Sequence, residues 1–202
     1  MDEYDEPIEA YCVRCRETVE VEQPQAVWTR KGMPATRGEC SMCGGTVFRM
    51  GKTDAHRESQ RPDAVEVLDG APSKRPKLER DTVYVIYAPS DSDSAERLAQ
   101  RLTEIGIATW LHEHEDNVAW AGGVHPAMDE CNKMIYVLSE AALMDETVIG
   151  AWQYFREKRK PIVIAQLESV APPDDIRRSP RFDLSTEDDK RAFRQMVQAL
   201  SA

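Results

Sequence analysis

Four of the five cysteines stand in two pairs of equal spacing, Cys12-Val13-Arg14-Cys15 and Cys40-Ser41-Met42-Cys43, with 24 residues between the pairs. Thiolates two residues apart on a tight turn can face one metal ion, and two such knuckles supply the four sulfur ligands of a tetrahedral zinc site. Every ligand position is cysteine, so no place is left for water or substrate, and the implied zinc is structural rather than catalytic. Two disulfides, or redox-active CxxC pairs, are the alternatives. Glycines behind the second pair, Gly44 and Gly45, favour metal. So does size: a segment of about 40 residues buries too little surface to fold without a metal or cross-links. Metal binding would then be largely folding free energy.

Other groups carry weaker signals. His112 and His114, with Glu113, Glu115 and Asp116, offer a second set of metal donors, but two histidines at i and i+2 in an acidic loop read more readily as solvated. Trp28, beside Arg30 and Lys31, is placed either to stack on a single-stranded base or to serve as a core aromatic of its own module. From Glu9 to Lys52 there are seven Lys/Arg against five acids, so with a zinc-tetrathiolate the module is near neutral. Cys131 falls on a helix face and reads as a small core residue.

The elements that position these residues follow from periodicity. Alternation through Val19 and Val21, the stretch Ala26–Arg30, a turn at Lys31–Pro34, a return over Ala35–Glu39 and a last run Thr46–Met50 predict small antiparallel hairpins around the cysteines. Thr53 to Arg80 has no sustained period and contains Gly70-Ala71-Pro72-Ser73, so it reads as a flexible linker. Its basic run Lys74-Arg75-Pro76-Lys77 is read as solvated. Val65–Leu68 is a candidate short strand or docking segment.

From Thr82 the pattern changes. Val83, Val85, Ile86 and Tyr87 make a strand, Pro89–Asp93 a capping turn, and Ala95, Leu98, Leu102 and Ile105 one face of a helix that Gly106 ends. Ile107–Leu111 is a second strand, so the unit is βαβ with parallel strands. Val124–Cys131 reads as a helix and Lys133–Ser139 as a buried strand, with Ser139 capping a helix from Glu140. Ile149–Arg159 is a helix, Lys160–Ala165 a strand, and Thr186–Leu200 an amphipathic helix capped at Thr186–Asp189. Four or five β/α repeats predict an open, flavodoxin-like parallel sheet, in which ligands sit beyond the carboxyl ends of the strands near a switch point. The organisation read from the sequence is therefore residues 1–52, a small all-β zinc ribbon; 53–80, linker; and 81–202, an α/β domain.

Composition narrows the partners. The 202 residues are 41% hydrophobic, enough for a core, and carry a formal net charge of -10. That charge argues against broad nucleic-acid or anionic-membrane binding. No window approaches the roughly 20 apolar residues of a membrane span. The acidic start, MDEYDEPIEAY, is unlike a signal peptide. The expectation is a soluble protein of a reducing, cytoplasmic compartment.

Two resemblances refine this reading. Tyr11, Cys12, Val13, Cys15, Arg16, Gly32, Pro34, Ala35, Gly38, Cys40, Cys43, Gly44, Val47, Phe48, Arg49, Gly51 and Lys52 fit the pattern of small zinc ribbons of prokaryotic proteins, a family with little settled function. Residues 83–200 resemble a Toll/interleukin-1 receptor (TIR) domain of the prokaryotic kind. VYVIYAPSDSDSAERLAQRLTEIGIATWL, KMIYVLSEAAL, KRKPIVIAQL and IRRSPRFDLSTEDDKRAFRQMVQAL carry that resemblance. It implies either homotypic assembly with other TIR domains in signalling or anti-phage defence, or cleavage of the nicotinamide–ribose bond of NAD.

The resemblance also implies a nucleotide cleft at Tyr87, Ala88, Ser139 and Trp120. Enzymatic members carry a glutamate nine residues before the lysine of a GKP-type turn, to face the oxocarbenium-like transition state. Here that position is Ala151, counted back from Lys160, and the substitute acid would be Glu146. The loop after Leu111, which contributes to assembly in the family, keeps Trp120 but lacks the family's Pro-Gly. A TIR signalling or adaptor protein is therefore favoured. NAD cleavage through Glu146 and a ribbon-based nucleic-acid regulator are the alternatives.

Overall fold

The structure is a computed structural model, described over residues 7–57, 61–62, 66–67, 77–78, 81–112, 119–186 and 189–201. The chain forms two compact units that are not contiguous in sequence. The first comprises Met1–Glu66, Pro72–Lys77 and Glu115–Pro126; the second comprises Val67–Ala71, Leu78–His114 and Ala127–Ala202.

The first unit is built on β1 (Glu9–Cys12), β2 (Glu17–Trp28), β3 (Pro34–Cys40) and β4 (Thr46–Met50), antiparallel in that order. β1 also touches β4, so the sheet curls on itself. The alternation of β2 places Val19 and Val21 inside, where they pack with Ala10, Cys12, Cys40 and Val47. A bulge interrupts β2 between Glu22 and Gln25; Gln23 adopts φ 49°, and Pro24, which cannot donate to a ladder, falls within it. The bulge brings β2 against Gly38 of β3, where a Cβ would come 2.3 Å from the Val21 side chain and 2.5 Å from the Glu22 carbonyl. Only glycine fits there. The hairpin predicted at Lys31–Pro34 forms, with Thr29 N–H donating to the Met33 carbonyl at 2.9 Å and Gly32 at φ 63°.

The region read as linker contributes to this unit. Asp54–Arg57 forms a 3-10 turn that buries His56. Two short strands, β5 (Glu66–Val67) and β6 (Lys77–Leu78), pair with each other; Glu66 and Lys77 are counted in the first unit, Val67 and Leu78 in the second. The Gly70–Ser73 cluster and Lys74–Pro76 lie outside the described residues.

The second unit is a parallel sheet flanked by helices. Its elements are β7 (Val83–Ile86), α1 (Ser92–Glu104), β8 (Thr109–Leu111), α2 (Pro126–Glu130, whose first residue belongs to the first unit), β9 (Lys133–Leu138), α3 (Glu140–Met144), α4 (Glu146–Glu157), β10 (Ile162–Gln166), β11 (Arg181–Asp183) and α5 (Lys190–Ser201). The strand order is β11-β10-β9-β7-β8, with every pairing parallel. The order reverses between β7 and β9, the switch point expected of a flavodoxin-like sheet.

Strand alternation divides the core. Val83, Val85, Tyr87, Ile135, Val137, Val163 and Ala165 pack with Leu98 and Leu102 of α1 and Met196 and Leu200 of α5. Tyr84 instead meets Phe155 of α4, ring centroids 6.0 Å apart. α1 and α5 are tied by a bidentate pair: Arg101 donates to both carboxylate oxygens of Asp189 at 2.6 and 2.8 Å, and lies 4.0 Å over the Phe193 ring. On the other face Lys160 donates to the carbonyls of Met128, Asp129 and Cys131, closing the end of α2. Desolvation lowers the pKa of this ammonium, opposed by the nearby Asp129.

Some boundaries move from the sequence expectation. β8 begins at Thr109 rather than Ile107, α2 at Pro126, and α4 at Glu146 rather than Ile149. The last helix starts at Lys190, and Glu187-Asp188 of its expected cap lie outside the described residues. β11 has no counterpart in the sequence reading.

Candidate functional site

The first unit brings the four spaced cysteines together. Cys12 and Cys40 close β1 and β3, and each strand turns into a knuckle of the same design. Arg16 N–H donates to the Cys12 carbonyl at 2.7 Å and Gly44 N–H to the Cys40 carbonyl at 2.9 Å. The two residues adopt φ 62° and 64°. Glycine takes that conformation freely, whereas the Arg16 Cβ is strained by it. Backbone N–H groups point at sulfur as well: Cys15 N–H to Cys12 Sγ and Met42 N–H to Cys40 Sγ, each at 3.4 Å.

The four sulfur atoms lie within 4.8 Å of one another, with Cys12–Cys43 at 3.7 Å and Cys15–Cys40 at 3.8 Å. A disulfide requires about 2.05 Å. A tetrahedron with metal–sulfur bonds of about 2.3 Å has edges of about 3.8 Å, so the cluster fits a metal such as zinc. The Cys15 N–H bond leads in lowering Cys12 to about 7, while Cys15 is pushed up to about 12, first by its hydrogen bond with Cys43. Cys131, the fifth, is pushed up to about 12 by burial, as expected of an inert core thiol. Among the described residues the four cysteines are the one group of three or more Cys, His, Asp or Glu arranged to hold an ion. Glu113, His114, Glu115 and Asp116 lie outside the described residues. His112 Nδ1 lies 2.6 Å from the Tyr84 hydroxyl.

Trp28 is a core residue. It is 5% exposed, packs edge-on against His56 at 5.3 Å, and pairs through its backbone with Trp120 in a parallel bridge. Its indole face is not presented for stacking on a base. His56 spans two strands: its Nδ1 accepts from Thr53 N–H at 3.1 Å, leaving Nε2–H to donate to the carbonyls of Val27 and Ala35 at 3.2 and 3.1 Å. A lone histidine in a polar stretch gave no sequence signal for this role.

The residues expected to line a nucleotide cleft are distributed between the units. Tyr87 and Ala88 follow β7 and are buried; Ser139 follows β9 and is 1% exposed. The Ser139 hydroxyl donates to Asp91 Oδ2 at 2.5 Å across the switch point and accepts from Ala142 N–H at 3.0 Å, capping α3 as its position predicts. Trp120 belongs to the first unit. Glu146 is exposed in the first turn of α4, whose N-cap is Asp145, with Val148 N–H donating to Asp145 at 2.9 Å. Ala151 is 2% exposed and shares the inner face of α4 with Val148, Trp152 and Phe155.

A cavity of about 560 Å³ lies near the carboxyl ends of β9, β10 and β11, lined by Ser94, Arg97, Arg101, Leu167, Ser185 and Asp189 among others. None of the four expected cleft residues lines it. Its wall includes Arg97, Lys190 and the Arg101–Asp189 pair, which sequence reasoning missed because its members stand 88 residues apart. Among the described residues, no helix is long and apolar enough to cross a membrane.

Comparison with known proteins agrees with this architecture. Residues 11–50 match a family described as a domain of unknown function (DUF5679). Among solved structures, the TIR domain of the Toll-related receptor TRR-2 from the lower metazoan Hydra magnipapillata aligns with a TM-score of 0.51 at 19% identity, covering 59% of this chain and 98% of that one. At that identity the likeness concerns the fold. No curated protein matches the chain. Residues 83–197, more than half of the chain, match the TIR domain family, and the chain belongs to it.

Proposed function

We propose that this protein is a TIR signalling or adaptor protein that acts by homotypic assembly, carrying a zinc ribbon whose metal is structural. The setting proposed is a prokaryotic cytoplasm, in defence signalling. The observation that carries a non-catalytic reading is Ala151. Where the resemblance calls for a carboxylate, a methyl group packs on the inner face of α4 and offers no charge to an oxocarbenium-like transition state. The four-cysteine cluster supports the structural metal: its sulfur separations suit one tetrahedral ion with every ligand place filled.

One observation favours a second reading, NAD cleavage. Glu146 stands exposed in the first turn of α4 and is free to meet a ligand there. The two readings separate in one experiment. Zinc-loaded protein is assayed for NAD consumption and for mass by light scattering, dilute and concentrated, beside Glu146→Ala. Concentration-dependent assembly with NAD intact supports the adaptor. Turnover abolished by Glu146→Ala would overturn it. Chelation is expected to unfold the first unit and leave the parallel sheet folded, read by amide exchange in β2 against β9.

A further inference from the structure

The first unit contains a segment from the far half of the chain, residues 119–126, of which Pro126 opens α2. Trp28 N–H donates to the Ala119 carbonyl at 2.7 Å, and Ala121 N–H donates to the Trp28 carbonyl at 2.8 Å. Trp28 is thus used on both edges, pairing with Pro34 of β3 on one side and with the Trp120 segment on the other. Trp120 is 9% exposed, and His125 packs edge-on against its ring at 5.1 Å. Burial lowers His125 to about 4, so the imidazole is neutral near pH 7. Gly123, at φ 79°, lies so close to Arg37 of β3 that a Cβ would come 2.9 Å from the guanidinium. Backbone pairing, indole burial, ring packing and a glycine contact all converge on one short stretch.

The segment depends on the same strand as the cysteines. β2 runs from the cysteine core, where Val19 and Val21 pack on Cys12 and Cys40 and Val21 pairs with Cys40, to Trp28 at its other end. A sheet this small does not hold together without its metal. When β2 melts, the edge that holds residues 119–121 melts with it. In sequence, residues 119–125 are the last part of the connection from β8 to α2.

We infer that residues 119–126 fold as an added edge of the cysteine unit, so that metal loading orders them and metal loss releases them. This rests on reading the cluster as a metal site. Release exposes the Trp120 indole, about 150–250 Å² of largely apolar surface. On the assembly reading of the TIR domain, self-association then increases.

The test is amide exchange on the full chain, zinc-loaded and chelated, together with Ala121→Pro and Gly123→Ala, which disturb the segment and leave the cysteines in place. Chelation is expected to speed exchange at Trp28 and across 119–125 by about tenfold or more, the loss of one to two net hydrogen bonds. β9 should stay protected. Each variant is expected to speed exchange across 119–125 while retaining its zinc. Protection of 119–125 that survives chelation overturns the inference, as does unchanged exchange in both variants. If the segment is freed but light scattering finds no increase in mass, the pairing of residues 119–126 with β2 stands and the gain in self-association is refuted.

Discussion

Replacing Ala151 with glutamate tests the inner face of α4 directly. Ala151 is 2% exposed and lies between Val148 and Phe155 on the side of the helix that packs on the sheet. A carboxyl with an ordinary pKa of about 4.3 must take up a proton to be buried there at pH 7, which costs about 3.7 kcal/mol. Overpacking adds about 1–3 kcal/mol. Ala151→Glu should therefore lose about 5 kcal/mol, a large part of the roughly 5–15 kcal/mol by which domains of this kind are stable. The sign of the pH dependence follows. The introduced acid's folded pKa lies above its unfolded value, so the charge penalty is absent below about 4.3 and grows as pH rises. Between pH 7 and pH 5.5 the deficit should shrink by about 2 kcal/mol. Ala151→Gln, of similar bulk, should show no such recovery. Denaturant unfolding followed by tryptophan fluorescence at the two pH values measures both. A variant within about 1 kcal/mol of the natural chain at pH 7, with no pH dependence, refutes the burial reasoning. If that variant also cleaved NAD, Ala151 would face a working cleft.

Other substitutions test local claims. Arg16→Gly relieves a left-handed residue costing about 1–2 kcal/mol, partly offset by glycine's chain entropy. It should stabilise the first unit by about 0.5–1 kcal/mol in thermal unfolding of the zinc-loaded chain, whereas Gly44→Ala should destabilise it. Gly38→Ala drives a methyl group into Val21 and the Glu22 carbonyl. A loss of about 2–3 kcal/mol, with faster exchange in β2, is expected. Gly150 lies within α4 with nothing inside 4 Å of an added Cβ. Gly150→Ala should therefore raise stability by about 0.5–1 kcal/mol, and a loss would show that the site is crowded. Arg101→Ala leaves the Asp189 carboxylate half-stranded between α1 and α5. Because Arg101 is itself about one-third exposed, the expected cost is about 1–3 kcal/mol, measured by urea unfolding.

What the sequence disclosed was whatever repeats locally. The strand–helix–strand rhythm from Val83 to Leu111 sets its own period, and the CxxC pairs carry their geometry in their spacing. Ser139 at the end of a strand foretold its cap on α3. β11 was illegible because Arg181-Phe182-Asp183 has one apolar residue and is a strand only through its pairing with β10. His56 sits in a stretch with no period, and its value comes from carbonyls 21 and 29 residues away. Trp28 offered two readings, and its neighbour across the bridge, Trp120, is 92 positions distant in the chain. Contacts of that separation leave no periodic trace.

The Trp28–Trp120 bridge also has a consequence for synthesis. All four cysteines have been made once residue 43 has emerged, but Ala119–Ala121 follow 76 to 78 residues later. At about 5–20 residues per second, the far end of β2 waits roughly 4–16 seconds with its Trp28 edge uncovered. An uncovered strand edge accepts any strand of suitable register, including residues 119–121 of a neighbouring nascent chain. Chains translated side by side on one message are thus expected to exchange this segment, and slow or crowded translation should enrich swapped pairs.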